Sequence, residues 1–166
     1  MSKATILLVD DNPANLDVLM GHLTKPGLKL LIAPSGEKAL QQIAQMDAKP
    51  DLILLDVQMD TPREGFELAK KLEAEEKLCH IPIILITCIE TFSASDATAD
   101  IVRRTLAKYG QNDLDVLIIM SHKGDIRVEY RSGEDNSQVS LQVEGYHPKP
   151  INTEKLIRDI HQLLER

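Results

Sequence analysis

Asp51-Leu52-Ile53-Leu54-Leu55-Asp56 is the stretch that most narrows what this chain can become. Four successive Leu and Ile residues without polar alternation belong in a strand covered on both faces, the signature of a parallel sheet. The run ends in a carboxylate. Open α/β sheets gather their ligand sites beyond the carboxyl ends of strands, so Asp56 reads as a ligand, a nucleophile or a helix cap.

The same pattern recurs on either side. Ile6 to Val9 is a first buried strand closed by Asp10 and Asp11, and Asn12 then caps a helix whose Pro13 occupies the first turn, where a missing N–H does no harm. Leu16, Leu19, Met20 and Leu23 keep the helical spacing of a sheet-covering face, and Pro26-Gly27 ends the helix. Leu28 to Ala33 is a second strand. Pro34-Ser35-Gly36 opens a second helix with Leu40 and Ile43 inward, and Lys49-Pro50 stops it before the third strand. A third helix runs from about Gly65 to Glu76 with Phe66, Ala69 and Leu72 inward, and Ile81 to Thr87 is a fourth strand. Strands alternating with helices through short connections imply right-handed crossovers and a doubly wound, mostly parallel α/β sheet.

The last unit breaks this rhythm. A helix of about Ser95 to Tyr109 buries Ile101, Val102 and Leu106, and a final helix, about Thr153 to Leu164, follows Pro148-Lys149-Pro150. Thr87 and Lys149 are 62 positions apart (149 − 87), whereas one covering helix with its connections needs on the order of 20. Roughly forty residues are therefore inserted, and the insertion is placed at 111–145 within a single domain of 1–166. Its content is strand-like. Leu114 to Met120 is an apolar run, Ile126 to Arg131 and Val139 to Glu144 alternate, and Gly-, Ser- and Asp-rich turns around 121–125 and 132–136 separate them. An antiparallel hairpin or three-stranded meander is expected. A small ribbon cannot bury the face carrying Val128, Tyr130, Leu141 and Val143 by itself, so an arm that builds a homodimer is expected, with a decorated monomer as the alternative.

Composition excludes several classes. A formal charge of −7 and the absence of Trp argue against nucleic acid as a direct partner. Cys79 and Cys88 are too few for a disulfide framework and lack metal-ligand spacing, which fits a reducing cytoplasm, and both are expected to be inert. No signal peptide and no membrane-spanning run is read. The last helix ends without a Gly or Pro stop, consistent with the front of a longer protein.

The strand ends gather chemistry. Asp10, Asp11, Asp56, Thr87 and Lys149 meet at one rim of the sheet, and three carboxylates so placed repel one another unless a cation sits among them. Mg²⁺ suits that donor set and leaves room for a phosphoryl oxygen. A carboxylate can then act as nucleophile toward phosphorus, with Lys149 and Thr87 supplying a cation and a hydroxyl to the phosphoryl oxygens. Asp10 and Asp11 as mere caps, Asp56 as a turn residue, Thr87 as a plain strand end and Lys149 as a surface lysine are the plainer readings. None of them predicts the others.

Ile6-Leu7-Leu8-Val9-Asp10-Asp11-Asn12, Pro50 to Met59, Ile81 to Thr87 and Lys149-Pro150, in this order, resemble the receiver domain of two-component response regulators. The resemblance implies a flavodoxin-like five-stranded sheet of order 2-1-3-4-5, with the insertion before the last strand. It further implies that Asp56 accepts a phosphoryl group from a histidine kinase or phosphotransfer protein and that conformation, partner binding or dimerisation switches in response. Beyond self-phosphorylation and self-dephosphorylation no enzyme activity is implied. Asp11, Asp56 and the Gln58 carbonyl would bind Mg²⁺, with Asp10 acting through water. Thr87 would be the switch hydroxyl, Lys149 the phosphate-binding lysine followed by a cis Lys149–Pro150 bond, and Tyr146 the aromatic that turns inward.

The chain departs from the family pattern at Asp60, where a proline is usual, and in Gly65, which arrives one residue late, so the loop from Met59 to Glu64 is longer and more charged. Two alternatives follow. A pseudo-receiver would keep the fold and act as a phosphorylation-independent interaction module. A haloacid-dehalogenase-like phosphatase uses similar chemistry but needs a second acid where Gln58 stands. His122 and His147 are read as solvated loop residues.

Overall fold

The computed structural model describes residues 4–25, 27–88, 91–109, 116–121, 123–131, 135 and 137–166, the side chains of 91–93 and 105–109 excepted. Expectations that rest on Pro26, His122 and the Leu106 side chain lie outside the described residues. In chain order the elements are β1 (Ala4–Val9), α1 (Pro13–Leu23), β2 (Leu28–Ala33), α2 (Gly36–Gln45), β3 (Leu52–Asp56), α3 (Glu64–Ala74), β4 (Ile83–Thr87), β5 (Thr91–Ser95), α4 (Ala99–Tyr109), β6 (Val116–Met120), β7 (Ile126–Arg131), β8 (Gln138–Val143), β9 (Gly145–Pro148) and α5 (Thr153–Leu164). The chain divides into two compact units, one of Met1–Cys88 with Gly145–Arg166 and one of Ile89–Glu144.

In the first unit the strands form one parallel sheet of order β2-β1-β3-β4-β9. The runs without polar alternation, β3 and β4, are buried at every position, as strands covered on both faces must be. The expected fifth strand is β9, which pairs Gly145 with Ile84 and Pro148 with Thr87. On one face Ile6, Leu8, Leu52, Leu54, Ile84 and Ile86 pack against Leu16 and Leu19 of α1 and Leu156 and Ile160 of α5. Each such fully buried aliphatic side chain contributes roughly 1.5–3 kcal/mol. The helix starts are set by side-chain caps: Asn12 accepts from Ala14 N at 2.9 Å, Ser35 from Lys38 N at 3.2 Å and Asn152 from Lys155 N at 3.0 Å.

Helix α3 starts at Glu64 and ends at Ala74, two residues short of the expected Glu76. A Cβ on Gly65 would stand 2.2 Å from the Asp56 carbonyl oxygen and 2.6 Å from Val57 Cα. Only glycine lets this helix begin so close to the end of β3, and Gly65 N donates to the Val57 carbonyl at 3.0 Å.

The second unit takes in the segment expected at 111–145, except Gly145, which opens β9 in the first unit, together with β5 and α4. Its four-stranded sheet has the order β5-β6-β7-β8. Strands β6, β7 and β8 form the expected antiparallel meander, and β5 adds to β6 in parallel. The helix expected from Ser95 begins instead at Ala99, because Ser95 closes β5 and Thr98 Oγ1 accepts from its backbone N–H at 3.0 Å. Ala99 and Val102, three positions apart, meet Ala94, Leu117 and Ile119. Ile101 was expected inward and is not: it is 66% exposed on the outer side of α4.

Arg103 of α4 grips Glu129 of β7 with two bonds, Nε to Oε2 at 2.6 Å and Nη2 to Oε1 at 2.7 Å. Arg127 and Gln138 also reach Glu129. The opposite sheet face pairs Val128 with Leu141 and Ile126 with Val143. Val128, Tyr130, Leu141 and Val143 are at most 2% exposed within one chain.

Candidate phosphoacceptor site

Because β1 and β3 are adjacent and parallel, their apolar runs end side by side and carry Asp10 and Asp56 to the same rim. Both carboxylates are buried, Asp10 at 3% exposure and Asp56 at 4%. Asp11 follows on the exposed side. A ligand oxygen from each of Asp10, Asp11 and Asp56 lies within 4.8 Å of the others, the compactness a single cation requires.

Lys149 reaches the rim from the neighbouring edge. Its backbone N–H donates to the Thr87 carbonyl at 2.8 Å, extending the β4–β9 ladder by one residue. That bond aims the side chain at the acids, where Nζ stands 2.9 Å from Asp56 Oδ2 and 3.5 Å from Asp10 Oδ2. The Lys149–Pro150 bond is cis. Thr87 is fully buried at the end of β4, and Tyr146, half-buried on β9, lies opposite Leu85 in the register.

Burial lifts Asp56 above the ordinary carboxylate range, and the negative Asp10 adds to this, although Lys149 and the Gln58 N–H oppose it. For Lys149, burial alone would lower the pKa. The bond to Asp56 and the charges of Asp56 and Asp10 outweigh burial and raise it, so the ammonium is firmly charged. Among the described residues the rim thus holds one cation against three acids, an excess of negative charge that favours a further cation.

Gln58 donates its backbone N–H to Asp56 Oδ1 at 3.1 Å, and its side-chain oxygen accepts from Cys88 Sγ at 2.7 Å. Cys88 therefore braces the loop beside Asp56. Cys79 is exposed. Asp60 is exposed and stands outside the cluster of acids. His147 corrects the expectation of a solvated loop residue: it is 1% exposed in β9, with Nε2 2.9 Å from Asp159 Oδ2 of α5. Asn15 went unnoticed in the sequence, yet its Nδ2 lies 3.1 Å from Asp10 Oδ2. Beside the cluster a cavity of about 310 Å³ opens between α1 and the start of α5, with Asn15 and Lys149 in its wall.

The family model described as response regulator receiver domain matches residues 6–119. The response regulator PleD of Caulobacter vibrioides is 39% identical over 88 residues, which are 53% of this chain and 19% of PleD. The polar-differentiation response regulator DivK of Brucella ovis is 33% identical over 87 residues, 52% of this chain and 68% of DivK. The chain spans less than a fifth of the length of several relatives that it matches, histidine kinases among them. Among solved structures, the signal receiver domain of a DNA-binding response regulator from Colwellia psychrerythraea superposes with a TM-score of 0.62 at 21% identity, covering 99% of this chain and 100% of that one. Its likeness concerns the fold.

Proposed function

The chain belongs to the response regulator receiver domain family, and from that membership we propose that Asp56 accepts a phosphoryl group from a histidine kinase or a phosphotransfer protein. The observation that carries this reading is the buried Asp56 carboxylate at the end of the central strand, 2.9 Å from Lys149 and clustered with Asp10 and Asp11. The donor set fits Mg²⁺, which takes carboxylate and carbonyl oxygens and retains waters. Asp11, Asp56 and the Gln58 carbonyl would hold it directly and Asp10 through water. Bound there, it would neutralise the acids and the phosphoryl oxygens, so that an anionic donor can approach.

Asp56 supplies the nucleophilic oxygen. A carboxylate oxygen bonds to phosphorus as the bond from phosphorus to the donor's histidine nitrogen breaks, and the departing imidazole keeps that electron pair and takes a proton from water. Lys149, released from Asp56, then bonds a phosphoryl oxygen, and the Thr87 hydroxyl donates to another. Tyr146, three residues before Lys149, follows as the element that transmits the change. A small preference of the phosphoryl group for one of two conformations is enough to shift their populations and the partners they select.

The longer, charged loop from Met59 to Glu64 favours a second reading, partner binding without phosphorylation. Intact-mass spectrometry after incubation with acetyl phosphate, with and without Mg²⁺, separates the two. A metal-dependent phosphoryl adduct absent from Asp56→Asn is the expected result. No adduct on the wild-type chain would overturn the phosphoryl reading in favour of the second.

A further inference from the structure

Asp10 draws three donors. Asn12 N–H donates to Oδ1 at 2.8 Å, Asn15 Nδ2 lies 3.3 Å from Oδ1 and 3.1 Å from Oδ2, and Lys149 Nζ stands 3.5 Å from Oδ2. The first is fixed by the backbone. The last is already engaged at shorter range with Asp56. Asn15 is the side chain that holds Asp10 without belonging to any other part of the cluster, and it spans both oxygens.

Its placement follows from the helix start. The Asn12 side chain caps α1 by accepting from Ala14 N, and Leu16 N donates to the Asn12 carbonyl at 3.2 Å, so the first turn is set and Asn15 returns over Asp10. A buried carboxylate that loses a donor takes the nearest substitute. Here that substitute is Lys149, which would then be drawn from Asp56 toward Asp10.

We propose that Asn15 is a positioning residue for the divalent cation of the acidic cluster: its side-chain amide fixes the Asp10 carboxylate, so the cation meets a preset acid and Lys149 stays with Asp56. This rests on the cation reading given above. The residue type suits the task. An amide donates without adding charge, whereas a lysine here would compete with the cation. Groups that orient a metal-binding acid without touching the metal commonly change affinity tenfold or more when lost.

The test is calorimetric titration of Mg²⁺ into the metal-free wild type, Asn15→Leu, which keeps the bulk and loses the donor, and Asn15→Gln, which keeps an amide. Asn15→Leu is expected to bind about tenfold more weakly, Asn15→Gln within about threefold of the wild type, with the metal-free thermal midpoints alike. Should Asn15→Leu fail to fold, Asn15→Ala is read in its place. Equal affinity of the donor-less variant and the wild type overturns the inference, as does a loss in Asn15→Gln as large as in Asn15→Leu, which would make the effect one of shape. A wild-type chain that does not bind Mg²⁺ overturns the cation reading and this inference together.

Discussion

A carboxylate that is costly to ionise sits at the centre of the candidate site. Because burial and Asp10 raise Asp56 above the ordinary carboxylate range, its proton is held more tightly in the folded chain than in the unfolded one. By linkage, its stabilising contribution is fully present below the unfolded pKa and is lost as pH rises through the folded pKa. Above that folded pKa the metal-free protein therefore carries a destabilising charge. Asp56→Asn is expected to raise the metal-free thermal midpoint by about 2–4 °C, and Mg²⁺ to stabilise the wild type more than this variant, both read by scanning calorimetry. Gly65 is constrained by space rather than charge. A Cβ there would meet the Asp56 carbonyl oxygen at 2.2 Å, so Gly65→Ala is expected to cost about 1–3 kcal/mol in urea unfolding. The two residues differ in how openly the sequence declares them. Asp56 is announced by the apolar run that ends in it. The close approach at Gly65 depends on where α3 lands and has no local pattern, so its place in the sequence showed only as a lengthened loop.

Elements were legible where burial makes the pattern extreme. Strands β1, β3 and β4 are built on runs of Leu, Ile and Val that few other structures accommodate, and α1 and α5 carry caps and regular apolar spacing. Thr91-Phe92-Ser93-Ala94-Ser95 alternates, but over only five residues with just Phe92 and Ala94 as its apolar positions, so β5 was not anticipated and the following helix was started too early. β9 is only four residues long, and its brevity concealed the burial of His147. That histidine joins β9 to α5. Burial lowers its pKa, and Lys155 opposes the proton as well, while Asp159 favours it. A group with a depressed folded value stays neutral in the fold, so the stability it permits is present above the unfolded value of about 6.5 and falls as pH drops below it. Urea midpoints are expected to decline between about pH 7 and pH 5.5, and His147→Phe to flatten that decline. An equal slope in the variant would assign it to other groups.

At the scale of the whole molecule, two sheets mean two cores. The side chains around Leu54 and Ile84 stabilise the first unit, and those around Leu117 and Ile119, with the Arg103–Glu129 pair, stabilise the second. Burial of Glu129 alone would raise its pKa, but the Arg103 bond is the larger influence and lowers it, so the acid is charged at neutral pH. Arg103→Ala leaves that carboxylate without its main partner, at a cost of about 1–3 kcal/mol. Hydrogen exchange is expected to speed up in β6, β7 and α4 while β1, β3 and β4 keep their protection. Uniform acceleration across both sheets would show that they open together.

Asp56 and Lys149 are 93 positions apart, and the whole second unit is encoded between them. On the ribosome the acids leave the exit tunnel long before the lysine does. A chain halted between Asp56 and Lys149 carries the Asp56 carboxylate without the Lys149 ammonium. Under the proposed chemistry such fragments are mute, so the order of synthesis itself keeps unfinished molecules out of the signalling pool.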